Sequence, residues 1–314
     1  MLTHKIDMRI TLRQIEIFAA IAASENVSRA AAALAMSQSA ASSALVELER
    51  QFDCPLFDRI GKSLRLNATG RGLLPQAEEM LARAADLESY LAGNILGPLA
   101  VGATLTIGNY LATLIVAEHL RRHPASKTRL QVANTDSIVA RLLRFELDIG
   151  LIEGEASDPD LLLEPWLDDA LVVFCAPQHP LAGRADSGMA SLNRQSWIVR
   201  EAGSGTRALF DRVIARALPD LHIQLELEHT EAIKRAVESG LGIGCLSRLA
   251  LREAFRRGSL VEIKTPQFDL RRHFYFARHR LRHVSPATRS FLALCRETSG
   301  DALGTDSLQL PFIY

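Results

Sequence analysis

Neither sign of charge is in excess. The chain balances 36 lysines and arginines against 36 aspartates and glutamates, so its bulk electrostatics carry no hint of a nucleic-acid partner. The first 95 residues are no more basic, with ten cationic side chains against eleven acidic ones. No apolar run approaches the roughly 20 residues that a membrane-spanning helix requires. The first thirty residues are charged throughout and lack an apolar core, so no signal peptide is expected and the expected compartment is the cytoplasm. The four cysteines (Cys54, Cys175, Cys245 and Cys295) stand far apart, without a C-x-x-C or a histidine at metal spacing. They read as small buried hydrophobes rather than redox sensors, and no metal or cofactor is expected. Signs of catalysis are missing too. A serine nucleophile elbow at Ser204 would need glycine where Ala202 stands, and no His–Asp pair is identifiable for it. The Gly203-Ser204-Gly205-Thr206 loop lacks the lysine of a phosphate-binding P-loop, and His123 and His179 precede prolines as turn residues do. The chain is not expected to be an enzyme.

What is present, within an ordinary 48% hydrophobic composition, centres on Val27 to Glu49. The stretch VSRAAAALAMSQSAASSALVELE reads as two short helices joined by a tight turn near Ala35 and Met36. Ser28 stands where the first helix would be capped and Ser37 where the second would be. Ala41, Leu45 and Leu48 fall on one face of the second helix, leaving Gln38, Ser39, Ser42 and Ser43 on the other. Two readings of that second face exist: a wet surface over an Ala-rich core pair, or a surface of short hydrogen-bonding side chains that enters a DNA major groove. The flanks favour the second. Leu12, Ile15, Ala19 and Ala22 make a stripe on a preceding helix. Leu56 to Gly70 reads as two short strands around Gly61-Lys62 with Arg59, Lys62 and Arg65 projecting onto phosphates, so Arg59 to Arg71 holds four cations and no acid. Ser28 and Arg29 join the expected contact set. The whole is a winged helix-turn-helix over residues 1–68, in which residues 1–10 are a polar extension of undetermined role.

Thr69 is the expected cap of a long helix over 69–93. Along it Leu73, Ala77, Met80, Ala84, Leu87 and Leu91 alternate in steps of four and three. That period suits either a partner helix of the same kind or packing on its own domain, and the narrowness of the stripe favours the partner. A near-neutral DNA-binding domain also argues for an oligomer. Gly93 ends the helix and Gly97-Pro98 marks a boundary. Beyond it strands and helices alternate: strands at 99–105, 129–133, 148–152, 162–166, 170–176, 197–200, 223–228, 243–246, 260–263 and 271–276, and helices at 109–122, 137–145, 206–217, 232–239 and 286–297. The pattern implies parallel-rich sheets covered by helices, in two α/β lobes. Lobe I takes 97–166 and 267–300, lobe II 167–266, and 301–314 is a tail whose apolar end (Leu308–Tyr314) is expected to dock. Three strand-to-helix junctions carry small polar residues suited to a small oxyanion or carboxylate, or to ordinary helix capping: Ala103 to Gly108 with Thr104, Leu105 and Thr106; Asn134 to Ser137 with Thr135; and Glu201 to Arg207 with Ser204, Gly205 and Thr206. Glu153 and Glu201 would oppose an anion unless Arg200 or Arg207 compensates, or would form ion pairs on the cleft rim.

The run of Ala-Ala-x-x-Leu, Ser-Gln-Ser-Ala, Leu-x-x-Leu-Glu, Leu-Phe-x-Arg and Leu-x-x-Thr-Gly, from Leu12 to about Leu91, resembles the N-terminal domain of LysR-type transcriptional regulators. Ser39 replaces a common proline, Asp53 a usual glycine and Asn67 a usual threonine. The remainder resembles the family's effector domain more loosely, and GLIEGE and REAGSGTR look like the subset that regulates sulfur and carbon assimilation. The resemblance implies an α/β chain: an all-α winged helix-turn-helix, a long linker helix and a two-lobed, periplasmic-binding-protein-like effector domain. It implies double-stranded DNA and a small anion or metabolite as partners. The ligand would lie between the lobes, touching positions that match Thr104, Thr106 and Ser204–Thr206. It further implies a homodimer through 73–91 and a homotetramer through the effector domains. The alternative is a cytoplasmic small-molecule receptor or enzyme whose helical N-terminal domain serves interaction only.

Overall fold

Capping chemistry decides where the N-terminal helices start. The computed structural model describes residues 9–60, 63–91, 96–154, 156–184, 187–300 and 302–308, in two compact units, Met1–Gly97 with Leu281–Ser285 and Pro98–Arg280 with Pro286–Tyr314. In the first, α1 (Leu12–Ser24) opens on a reciprocal capping box between Thr11 and Gln14. α2 (Val27–Ala33) is capped by Asn26, whose side chain accepts the Arg29 N–H. Ser28, the expected cap, therefore lies inside the helix. α3 (Gln38–Phe52) is capped by Ser37, which accepts the Ala40 N–H. A two-stranded wing, β1 (Phe57–Ile60) antiparallel to β2 (Ser63–Leu66), leads into α4 (Ala68–Leu91). Asn67 accepts the Gly70 N–H at 2.9 Å and caps α4, so Thr69 is a first-turn residue and not the cap. The Gly61-Lys62 turn, the helix end expected at Gly93, the side chain of Arg59, most of the 1–10 extension and residues 309–314 lie outside the described set.

The helices pack on a core that includes Ile15, Phe18, Ile21, Ala41, Leu45, Leu48 and Leu56. Ile15, Ala19 and Ala22 of the expected α1 stripe are buried, but Leu12 is 50% exposed: at the first position of the helix it projects past the core. The expected seam of α4 divides. Leu73 and Ala77 pack into this same core, whereas Met80, Leu87 and Leu91 are exposed.

The second unit runs, in order, β3 (Pro98–Thr104), α5 (Leu105–Ile107), a π-helical turn (Gly108–Ala112), α6 (Thr113–Arg122), β4 (Lys127–Ala133), α7 (Thr135–Leu143), β5 (Ile149–Glu153), β6 (Leu161–Cys175), α8 (Met189–Asn193), β7 (Ser196–Arg200), α9 (Gly205–Phe210), a second π-helical turn (Asp211–Ala215), β8 (His222–Leu227), α10 (Thr230–Glu238), β9 (Ile243–Ser247), α11 (Arg248–Arg257), β10 (Val261–Ile263), β11 (Arg271–His279) and α12 (Pro286–Ser299). The first long helix thus begins at Leu105, four residues before its expected start. The sheet order is β4-β3-β5-β11-β6-β9-β7-β8, with β10 beside β6. The β3–β4, β3–β5, β7–β8 and β7–β9 pairs are parallel, while β11, β10 and β6 pair antiparallel with their neighbours. β6 joins the two halves of the sheet. Its residues up to Ala170 pair with β11, and from Leu171 they pair with β9. The two strands expected at 162–166 and 170–176 are one.

Asp53 ends α3 in the left-handed region (φ 47°), where a Cβ is unfavourable. Asp53→Gly should therefore stabilise the protein by about 0.5 kcal/mol, the relief of the side chain outweighing glycine's extra chain entropy. A higher urea midpoint at unchanged slope is the expected readout.

Candidate DNA-reading face and effector cleft

The buried side of α3 fixes its free side. With Ala41, Leu45 and Leu48 in the core, Gln38, Ser39 and Ser43 are exposed and Ser42 is half-buried. Ser37 and Ser39 share a hydroxyl hydrogen bond of 3.1 Å. Val46, 46% exposed and one turn beyond Ser42, adds an apolar group to the face, which the reading of hydroxyls alone missed. Ahead of α3, Ala35 takes a positive φ (52°), and the Arg13 guanidinium braces the turn by donating to the Leu34 carbonyl at 3.2 Å. Ser28 and Arg29 are exposed in the first turn of α2. Arg65 of the wing is exposed but already paired with Glu25 at 2.5 Å, and Glu25 also accepts the Leu66 N–H. Its charge is shared with α1 rather than free.

In the second unit the junction residues converge, but on an occupant belonging to the chain. Glu153, at the end of β5, is 1% exposed. Its carboxylate accepts the Thr106 backbone N–H at 2.7 Å, the Thr206 hydroxyl at 3.0 Å and Arg272 Nη1 at 2.9 Å. Arg272 also donates from Nε to Asp169 at 2.8 Å. Asp169 in turn accepts the hydroxyls of Ser247 and Thr305. Burial pushes the Glu153 carboxyl up. The Arg272 and Arg200 cations, with the Thr106 hydrogen bonds, outweigh it and hold the group below its ordinary 4.5. Glu153 is therefore not a rim carboxylate, and the cation beside it is Arg272, a residue the sequence reading did not single out. Glu201 is buried in a two-point pair with Arg200, at 2.7 and 2.9 Å, while Arg207 is engaged by Asp211 and Glu226.

The other junction residues join the two halves of the sheet. Gly205 N–H donates to the Thr135 hydroxyl at 3.1 Å, and Asp136 N–H donates to the Gly203 carbonyl at 3.2 Å. A Cβ at Gly205 would stand 2.0 Å from the Glu153 carbonyl oxygen, so this approach requires glycine. The Thr104 hydroxyl donates to the Leu151 carbonyl of the neighbouring strand at 3.4 Å. Ser204 is buried and makes no capping bond to α9. Tyr110 donates its hydroxyl to Glu231, which Lys234 also holds at 2.7 Å. Beside this seam lies a cavity of about 380 Å³, lined by Leu105, Asn109, Val132, Ala133, Asn134, Ser137, Glu201, Glu228 and His229. Of the expected ligand residues only Leu105 and Glu201 reach it. A larger depression of about 670 Å³ between Ala170 and Arg271 has its cations Arg248, Lys264 and Arg271 paired with Glu262 or Asp269.

Because the native state holds the Glu153 carboxyl below its ordinary value, this group stabilises the fold above about pH 4.5, and the gain is lost as pH falls through the native value. Glu153→Gln should cost about 3 kcal/mol at neutral pH. The difference from wild type should shrink steadily in urea melts taken below pH 4.5.

Residues 12–71 match the family model of the bacterial regulatory helix-turn-helix protein, lysR family, and residues 92–300 match the LysR substrate binding domain. Over 288 residues the chain is 41% identical to the HTH-type transcriptional regulator YeiE of Escherichia coli (strain K12), covering 92% of this chain and 98% of that one. A full-length OxyR variant from Pseudomonas aeruginosa superposes with a TM-score of 0.68 at 25% identity, over 92% of this chain and 94% of that one. The regulatory domain of Synechocystis PCC6803 CcmR, solved in complex with 2-PG, gives a TM-score of 0.59 at 30% identity, over 65% of this chain and 98% of that domain. With the helix-turn-helix and the substrate-binding domain both matched, the chain belongs to the LysR family: it is a transcriptional regulator with an effector-binding domain, and not an enzyme.

Proposed function

We propose that the exposed face of α3 reads base edges in the major groove and that occupancy of the cleft controls that contact. The face itself carries the reading. It is polar, capped at Ser37, braced at its turn by Arg13 and unoccupied by other described residues. Gln38 supplies the amide suited to an adenine edge, and the Val46 methyls suit a thymine methyl. Ser28 and Arg29 at the start of α2, with Arg59 and Lys62 in the wing, would meet phosphates. Arg65 would do so through the charge it shares with Glu25.

The dimer is read from α4. Met80, Leu87 and Leu91 remain exposed at 48, 60 and 76%, at the spacing of a two-helix seam, and burying them against a second copy offsets the cost of their exposure. Pairing the effector domains as well would make a tetramer. The cytoplasm is the compartment that suits a DNA-binding regulator, and among the described residues no helix is long and apolar enough to cross a membrane. The effector would occupy the 380 Å³ cavity, near the lower end of small-molecule sites at roughly 300–1,000 Å³. The small ligand in the CcmR domain supports that size. Residues of both halves of the sheet line the cavity, so a ligand there would bias how the halves meet and hence the spacing of paired α3 helices.

Two measurements test this reading. Duplexes selected from a random library by the wild type should lose discrimination at one or two base pairs with Gln38→Ala plus Ser42→Ala, by about 1–3 kcal/mol at the position read by Gln38. An unchanged selected sequence and affinity ladder would reject the face. Leu87→Glu should yield monomers by light scattering and weaken operator binding by roughly 100-fold as the second half-site contact is lost. A dimer that survives this change places the interface elsewhere.

A further inference from the structure

Three donors of different kinds, Thr106 N–H, the Thr206 hydroxyl and Arg272 Nη1, are aimed at one point between the halves of the sheet. Such convergence is how proteins hold a small oxyanion. The Glu153 carboxylate stands at that point, 98% removed from solvent as a side chain. Formal charges around it are three negative (Glu153, Asp169, Glu201) and two positive (Arg200, Arg272). With Glu153 the group carries one net negative charge, and without it none. A second, independent observation is that Arg272, 6% exposed, keeps Nη2 without a hydrogen-bond partner among the described residues. The guanidinium has donor capacity that its two carboxylates do not use.

We propose that Glu153 is a tethered ligand and the specificity-determining residue of the cleft: it fills an oxyanion position built by Thr106, Thr206 and Arg272, and a free oxyanion binds there only in exchange for it. An anion that arrives beside Glu153 meets a like charge and a guanidinium already shared with Asp169. It must displace the carboxylate and repay its hydrogen bonds. Weak or bulky anions are thereby rejected, and ligands that bind without entering this position are left to the adjoining cavity. The inference rests on the cleft being the effector site. Its test uses formate, sulfate and phosphate without DNA, so a failed test leaves the DNA and dimer measurements standing.

The experiment compares melting of full-length wild type and Glu153→Ala in each anion against chloride at matched ionic strength. The alanine variant should gain about 5 °C or more as formate or sulfate saturates the vacated position. Half-saturation should come at a concentration at least about 10-fold lower than in the wild type, the factor expected when a like charge no longer competes. Adding Thr206→Val to the alanine variant should remove most of that gain, which ties the anion to this position. Equal half-saturation in wild type and variant, or a gain undiminished by Thr206→Val, would overturn the proposal. So would an alanine variant that stays unfolded in formate as in chloride, because the vacated position would then accept no replacement.

Discussion

The guanidinium of Arg272, taken out of water between Glu153 and Asp169, is the interaction around which the effector domain is arranged. Moving a cation into the interior costs several kcal/mol and is tolerated only where opposite charges and hydrogen bonds meet it. Here they come from separate parts of the chain: Glu153 from β5, Asp169 from the strand shared by both halves, Thr206 from the start of α9. Ser247 and Thr305 complete Asp169, and the Arg252 guanidinium holds the carbonyls of Thr305 and Leu308. A buried group with so many required partners permits few alternative packings. It specifies the arrangement of β5, β6 and β11 more than it stabilises it.

The DNA-binding unit meets its constraints by other means. Its helices turn through left-handed residues that are not glycine: Glu25 after α1, Ala35 between α2 and α3, and Asp53 after α3. Two of these positions do further work. Glu25 ties the end of α1 to the wing through Arg65 and the Leu66 N–H, and Ala35 sets the angle at which α3 leaves α2. Since the domain has no net positive charge, grip on a duplex rests on local placement of cations. In the dimer proposed above, the apolar stripe left on the outer half of α4 would add the contacts of a second copy.

Most of this unit was legible because its signals are local. The buried stripe of α3, the Ser37 cap and the two short strands of the wing follow from spacing and composition. Departures from the family pattern kept the geometry by substitution of means: Asn67 caps α4 where threonine is usual, and Asp53 takes the left-handed position where glycine is usual. Misplaced caps arose where two polar residues compete within one turn, Asn26 against Ser28 and Asn67 against Thr69. In both cases the residue with a side-chain carbonyl before the first helical turn prevailed. The seam of α4 read as one feature because periodicity does not tell which partner covers which turn. β6 read as two strands because Asp168 and Asp169 fall between its apolar runs, yet both stay in the ladder with β11, opposite His273 and Arg272. The site's centre was the least visible. Arg272 does carry a sequence signal: along β11 it shares a face with Phe274 and Phe276, so a charged residue occupies an inward register. What spacing could not give was its pairing with Glu153, 119 residues away.

The distribution of these bonds determines how strongly the cleft is held. The two ion pairs of Arg272 lie within β5, β11 and the part of β6 that pairs with β11, so separating the halves of the sheet need not break them. Among the described residues the bonds that do cross include Thr206 with Glu153, Arg272 with Thr206, Gly205 with Thr135, Asp136 with Gly203, Tyr110 with Glu231, Lys234 with Tyr110, and Ser247 with Asp169. The bonds between neutral groups net about 0.5–1.5 kcal/mol each, and those to Glu153, Asp169, Arg272, Glu231 or Lys234 about 1.5–3 kcal/mol, because water replaces the lost partner. The differential binding of a ligand across the seam acts against that sum. Had the charge pairs themselves spanned the halves, each would have left an uncompensated buried ion on opening, at about 3–5 kcal/mol apiece, and no ordinary ligand could have moved the equilibrium. Keeping both partners of each buried ion pair on one side of the seam, Arg272 with its carboxylates and Arg200 with Glu201, leaves hydrogen bonds rather than these pairs to be exchanged across it.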